Sequence, residues 1–96
     1  MKTHIVEITK KAEKDLKKLP KHIIIQFDVW VETIETDGYE SMKKIKGYRD
    51  HALKGDKKGQ RSTSLSKAYR VIYELRENKN VFIVEVQEVN KHEYKK

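Results

Sequence analysis

Residues 69–89 read YRVIYELRENKNVFIVEVQEV, from Tyr69 to Val89. Two runs rich in β-branched and aromatic residues, Tyr69–Glu77 and Val81–Val89, flank Asn78-Lys79-Asn80. Such runs suit a pleated surface, and asparagine tolerates the positive φ that a tight hairpin needs. The stretch is therefore expected to form a β-hairpin. Val81 and Ile83 alternate along its second strand, and Val84, Val86 and Val89 continue the apolar face past an expected register shift. An isolated hairpin is marginal in water, so further strands or helices must cover it.

The upstream sequence supplies both. Gln60–Leu65 reads as a more polar strand preceding the hairpin, which makes a three-stranded antiparallel meander. Gly47–Gly59 holds three of the four glycines and reads as loop and turns, and Tyr39–Ile45 reads as a short helix. Over Lys21–Asp37, the residues Ile23, Phe27, Trp30, Val31 and Ile34 fall on one stripe at helical spacing, with Gly38 placed to close the helix. Trp30 is assigned to the core. Before Pro20, Ala12, Leu16 and Leu19 mark another helix that Thr9 can cap, and His4–Ile8 alternates as a first strand. The expected fold is α+β, in the order β-α-α-(α)-β-β-β. A helical hairpin packs on one face of a small, mainly antiparallel sheet.

Ninety-six residues make one domain, 1–96, and a chain this short supports only a thin core. Charged residues (39%) outnumber apolar ones (36%), yet the apolar runs are too well formed for a disordered chain. The absence of cysteine excludes disulfides and thiolate zinc sites. No stretch after Met1 has the makeup of a signal peptide, and no run approaches the ~20 apolar residues of a membrane span. A cytoplasmic location without membrane contact is expected.

The net charge is +7, and it is segregated. From Lys43 to Arg70, ten bases face only Asp50 and Asp56, giving +8, while the rest of the chain sums to −1. A concentrated basic segment favours a polyanionic partner. Cleaving RNA without a metal needs a base for the 2′-hydroxyl, cations for the phosphate and a donor for the leaving 5′-oxygen, and His, Lys, Arg and Tyr can supply all three. The candidates gather in the second half of the chain. Arg70 shares a strand face with Ile72, and Arg61 on the preceding strand is expected near it across the ladder. Lys54, Lys57 and Lys58 decorate the loop before, and His92 and Tyr94 end the last strand on a common face. His4 and His22 are read as solvated. No histidine pair has zinc spacing, no carboxylate cluster suits magnesium, and no nucleotide or nucleophile-elbow motif is present, so neither metal nor cofactor is expected.

Four segments in order, Asp50-His51-Ala52-Leu53-Lys54-Gly55, Gly59-Gln60-Arg61, Ala68-Tyr69-Arg70-Val71-Ile72-Tyr73 and Asn90-Lys91-His92-Glu93-Tyr94, resemble the signature of RelE/ParE-type toxins, in particular the mRNA interferase branch. The resemblance extends over essentially the whole chain. It implies a toxin of a type II toxin–antitoxin system that is wrapped and blocked by a cognate antitoxin. It also implies cleavage of mRNA on the ribosome, near the 16S rRNA of the A site, leaving a 2′,3′-cyclic phosphate and a 5′-hydroxyl. By the same resemblance His92 is the acid or base, Arg70 stabilises the phosphate and Tyr94 stacks on or orients the RNA. Lys54 takes part in the site and His51 matches a functional histidine of some relatives. Lys57, Lys58, Arg61 and Lys91 are expected to hold the RNA. The chain departs from that pattern at Ser64, where some relatives carry a second histidine, and at His92, where RelE itself carries arginine. A gyrase poison of the ParE type and a silent RNA-binding relative are the alternatives.

Overall fold

The computed structural model describes residues 3–91. Five strands form one sheet in the order β1-β5-β4-β3-β2: β1 (Thr3–Ile8), β2 (His51–Ala52), β3 (Arg61–Ser64), β4 (Tyr69–Asn78) and β5 (Val81–Lys91). β1 runs parallel to β5 and the other neighbours are antiparallel. Between β1 and β2 lie α1 (Lys10–Lys17), α2 (Lys21–Asp37) and α3 (Tyr39–Lys43). The expected fold class stands. The loop 47–59 adds two short 3₁₀ turns, at Lys46–Tyr48 and Gly55–Lys57, and the two-residue edge strand β2, which sequence reading leaves as loop.

Local chemistry sets the helix boundaries. The Thr9 hydroxyl accepts the Ala12 N–H at 3.1 Å and starts α1. Asp15, one turn on, accepts the Val89 N–H at 3.0 Å and so ties α1 to β5. Pro20 opens α2 with a fixed φ of −59°. Gly38 closes it with φ 92° and ψ 156°, a region that side chains strongly disfavour. Ile23, Phe27, Trp30 and Ile34 of α2 are buried against Val71, Tyr73, Val84, Val86 and Val89 of the hairpin. Trp30 lies between Phe27 and Tyr73, with ring centroids 5.8 and 5.6 Å away, so its assignment to the core holds.

The hairpin departs from expectation in two details. The left-handed turn residue is Lys79, φ 53°, rather than an asparagine. The register shift falls lower in β5. Ile72 pairs with Glu88 and Tyr73 with Val86, which leaves Gln87 as the extra residue. Val84 and Val86 face the helices, whereas Ile72 and Ile83, also buried, fall outside that core cluster. His4 is not merely solvated: its Nδ1 accepts the Tyr39 N–H at 3.3 Å and its ring lies 5.4 Å from that of Phe82. His22 is exposed as expected. Among the described residues, no helix is long and apolar enough to cross a membrane.

Candidate functional site

The pleat sorts the strand residues by face. On β3, Arg61 and Thr63 point one way and Ser62 and Ser64 the other. Across the ladder Arg61 pairs with Tyr73, whereas Ser64 pairs with Arg70. The two arginines therefore stand three rungs apart on opposite faces, which corrects the expectation that they lie together.

On the face away from the helices, a cleft of about 420 Å³ opens at the β2–β3–β4 end of the sheet. That volume falls within the range of ligand sites, ~300–1,000 Å³. Arg49, His51, Lys67 and Arg70 bring cationic and imidazole groups to its walls, and Ser62, Ser64 and Ser66 add hydroxyls beside Tyr69. Among the described residues, no carboxylate lines it. Arg70 donates from Nε to Asn90 Oδ1 at 3.3 Å, a long bond that leaves most of the guanidinium uncommitted. The His51 Nδ1 lies 2.9 Å from the Arg49 carbonyl oxygen. A carbonyl can only accept, so Nδ1 carries the proton of the neutral ring and Nε2 keeps a lone pair.

Beneath the cleft, a second polar group is turned inward. The Asp50 side chain is wholly shielded from solvent. It receives Arg61 Nε at 2.8 Å and Nη2 at 2.7 Å, the Thr63 hydroxyl at 2.7 Å and the Tyr73 phenol. The Tyr73 oxygen also lies 3.1 Å from that of Tyr39. Burial, then the hydrogen bonds to Asp50 and Tyr39, push the Tyr73 phenol well above its ordinary range, so it stays a donor at neutral pH. Burial also raises the Tyr39 phenol, with the Tyr73 bond opposing. For Arg61 burial acts against the charge, but the bonds to Asp50 and Tyr73 outweigh it and the net shift is upward.

Of the residues expected to act on RNA, the fold brings His51 and Arg70 into one cleft. Arg61 is instead held by Asp50. Lys54, Lys57 and Lys58 sit exposed on the loop around the second 3₁₀ turn, outside the cleft lining, with Lys57 3.5 Å from Glu88. Lys91, opposite Tyr69 in the ladder, is exposed. His92 and Tyr94 lie outside the described residues. Arg49, Lys67 and Tyr69 line the cleft without having been singled out. For Arg49 a signal existed, since it adjoins Asp50 and His51. Among the described residues, no group of three or more His, Asp or Glu side chains is gathered as a metal would need.

An apolar groove adjoins the cleft and shares Gly47 and Ser64 with it. Ile25 and Val29 of α2, with Ile45 and Tyr48, form its walls, and the first three are exposed.

The fold has solved counterparts. The DinJ–YafQ toxin–antitoxin complex of E. coli contains a chain 20% identical, with a TM-score of 0.69 over 94% of this chain and 93% of that one. A YoeB/ParE toxin from Agrobacterium tumefaciens is 15% identical, with a TM-score of 0.68 over 93% and 99%. The RelBE2 toxin–antitoxin complex of Mycobacterium tuberculosis contains a chain 23% identical, with a TM-score of 0.63 over 94% and 99%. At these identities the likeness is one of fold. No curated protein sequence matches. The profile of the "ParE toxin of type II toxin-antitoxin system, parDE" matches residues 6–90. With the match spanning nearly the whole chain, this protein belongs to the ParE toxin family of type II toxin–antitoxin systems, within the RelE/ParE superfamily.

Proposed function

We propose that this toxin is an endoribonuclease that cuts mRNA on the ribosome by metal-independent acid–base transesterification. The observation that carries the reading is the cleft. Among the described residues it gathers an imidazole of defined tautomer with three cationic side chains and no carboxylate, a set that suits a polyanion. In this reading His51 Nε2 takes the proton of the 2′-hydroxyl and the freed oxygen attacks the phosphorus. Arg70, with Arg49 and Lys67, neutralises the charge that builds on the non-bridging oxygens. His92, one residue past Lys91 in sequence, protonates the departing 5′-oxygen, and Tyr94 stacks on a base. The products are a 2′,3′-cyclic phosphate and a 5′-hydroxyl end. Lys54, Lys57, Lys58 and Lys91 contribute longer-range attraction to the RNA backbone and rRNA.

The solved toxin–antitoxin complexes of the same fold support a cognate antitoxin as partner. An amphipathic acidic segment fits both features of this surface, with apolar side chains in the groove of Ile25, Val29 and Ile45 and carboxylates toward the cleft. Such a toxin acts in the cytoplasm.

Induced expression in a bacterial host, with primer extension on an abundant mRNA, tests the reading. In-frame cuts that depend on translation and weaken about 100-fold or more with His51→Ala or Arg70→Ala are expected. The family description favours a second reading, a gyrase poison of the ParE type. Growth arrest with gyrase-linked DNA breaks and intact mRNA would establish that one instead.

A further inference from the structure

We propose that Asp50 is the positioning residue of the cleft: held from inside the protein, it fixes its two sequence neighbours, Arg49 and His51, in the arrangement that the nuclease reading requires. The inference rests on that reading for its chemistry and on geometry for its mechanism.

Apart from Tyr48, half-buried against the core, the segment that carries Arg49 and His51 has little else to hold it. No residue from Lys44 to Gly59 is buried as a whole, backbone and side chain together. The edge strand β2 is two residues long, pairing His51 with Ser62 and Ala52 with Arg61. Arg49 adopts a left-handed conformation, φ 47° and ψ 42°, which a residue with a side chain keeps only when its surroundings impose it. Against this exposed background the Asp50 carboxylate is completely shielded and takes three hydrogen bonds and an ion-pair contact, from Arg61, Thr63 and Tyr73 on β3 and β4. Apolar contact could hold the loop down, but it is non-directional and would tolerate sliding. Three hydrogen bonds, one from each of three side chains, fix position and rotation together. Because Asp50 points inward, the flanking Arg49 and His51 are turned toward the cleft that both line. The Arg49 carbonyl, oriented by the left-handed turn, then selects the His51 tautomer. Arg61 belongs to this anchor and not to the RNA-binding surface.

The experiment compares wild type with Asp50→Asn, nearly isosteric but uncharged, and with Tyr73→Phe, which removes one donor and keeps the ring. Two readouts are used on each. The first is the ¹⁵N spectrum of the His51 ring in the free protein, assigned with His51→Gln. The Nδ1–H tautomer is expected in wild type and an averaged ring in the variants. The second is cleavage of mRNA in a translating extract, where a displacement of about 1 Å should lower kcat about 100-fold with KM little changed. In an Arg49→Ala/His51→Ala background, adding Asp50→Asn should lower residual cleavage by less than about twofold, because Asp50 acts through those two residues. A folded variant that keeps the wild-type tautomer overturns the proposal, and so does a loss that persists in full in the double-variant background. If Asp50→Asn does not fold, Tyr73→Phe decides by the same comparison. If wild type cuts no RNA, the nuclease reading fails, while the ring spectra still decide whether Asp50 positions His51.

Discussion

Arg61 and Arg70 are alike in sequence, and replacing Arg61 by alanine separates what the fold does with each. In the wild type the Arg61 guanidinium hydrogen-bonds the Asp50 carboxylate through Nε at 2.8 Å and pairs with it through Nη2 at 2.7 Å, and its own side chain is 23% exposed. Arg61→Ala leaves a fully shielded carboxylate with two hydroxyl donors, Thr63 and Tyr73, and no counter-charge. Removing one partner of a buried ion pair costs about 3–5 kcal/mol, because the remaining charge stays desolvated. The partial exposure of Arg61 lets water reach the vacated space, so the lower half of that range, about 3–4 kcal/mol, is expected. A domain of this length has a total stability of roughly 5–14 kcal/mol, so the variant gives up a large share of it. The midpoint of thermal unfolding should fall by about 12–30 °C. Urea denaturation followed by circular dichroism measures this directly, with an unchanged m-value indicating that the unfolding transition itself is the same. A loss below about 1 kcal/mol at constant m would mean that the Asp50 group is hydrated in solution, and the anchor would be refuted. A stable variant with weakened RNA affinity and a shallower salt dependence would return Arg61 to the RNA-binding surface.

Arg70→Ala should behave in the opposite way: its one long bond to Asn90 makes a stability loss under about 1 kcal/mol the expectation, while cleavage falls 10²-fold or more, and kinetics beside a urea curve would expose a structural role if the order were reversed. Arg49→Gly removes a left-handed penalty of roughly 1–2 kcal/mol but adds an unfolded-state entropy cost of about 0.4–1 kcal/mol, so stability should hold or rise by up to about 1.6 kcal/mol while cleavage drops; a clear destabilisation would show the arginine side chain to be structural. Above pH 10 stability should decline, because Tyr73 and Tyr39 keep their protons in the folded state and release them when unfolded. Each contributes up to about 1.4 kcal/mol per pH unit between its unfolded and folded pKa, and equal pH slopes for wild type and Tyr73→Phe would contradict the Tyr73 part.

The elements that could be read from sequence are those whose signal is periodic and local. The stripe of Ile23, Phe27, Trp30 and Ile34 places α2 at its observed limits, and Thr9, Pro20 and Gly38 act through their own backbone chemistry. The two strands of the hairpin follow from their apolar and β-branched runs. What could not be read depends on pairing between distant residues. The strand β2 is two residues long and carries no pattern, so neither the rung between His51 and Ser62 nor the inward turn of Asp50 has a local sign. Without that rung, Arg61 is one more base in a basic segment. One of only two acids set among ten bases was the available hint: an aspartate there either weakens the patch or is buried with one of those bases, and Asp50 is buried with Arg61. The site is legible only by halves for the same reason. His51 and Arg70 stand out by residue type and motif, whereas Arg49 and Lys67 join them because a left-handed turn and the β3–β4 connection bend toward one cleft.

Register between β3 and β4 decides the fate of every polar residue at this end of the sheet. Consecutive strand residues face opposite ways, so a slip of one position would exchange Arg61 and Thr63 with Ser62 and Ser64. Asp50 would then lose its guanidinium partner and the cleft would gain one. Neither apolar burial nor overall charge forbids this strongly, because β3 is polar on both faces. The turn after β3 supplies the restraint. Leu65 N–H donates to the Tyr69 carbonyl at 2.8 Å, and the Ser66 hydroxyl accepts from the Ala68 and Tyr69 N–H groups at 3.1 and 3.2 Å. At the other end, the three hydrogen bonds and the ion pair to Asp50 favour only the register in which Arg61 and Thr63 point inward. The anchor beneath the cleft and the cations within it are therefore two outcomes of one pairing decision. That is why charges of the same kind, a few residues apart, can be structural on one face and available to a polyanion on the other.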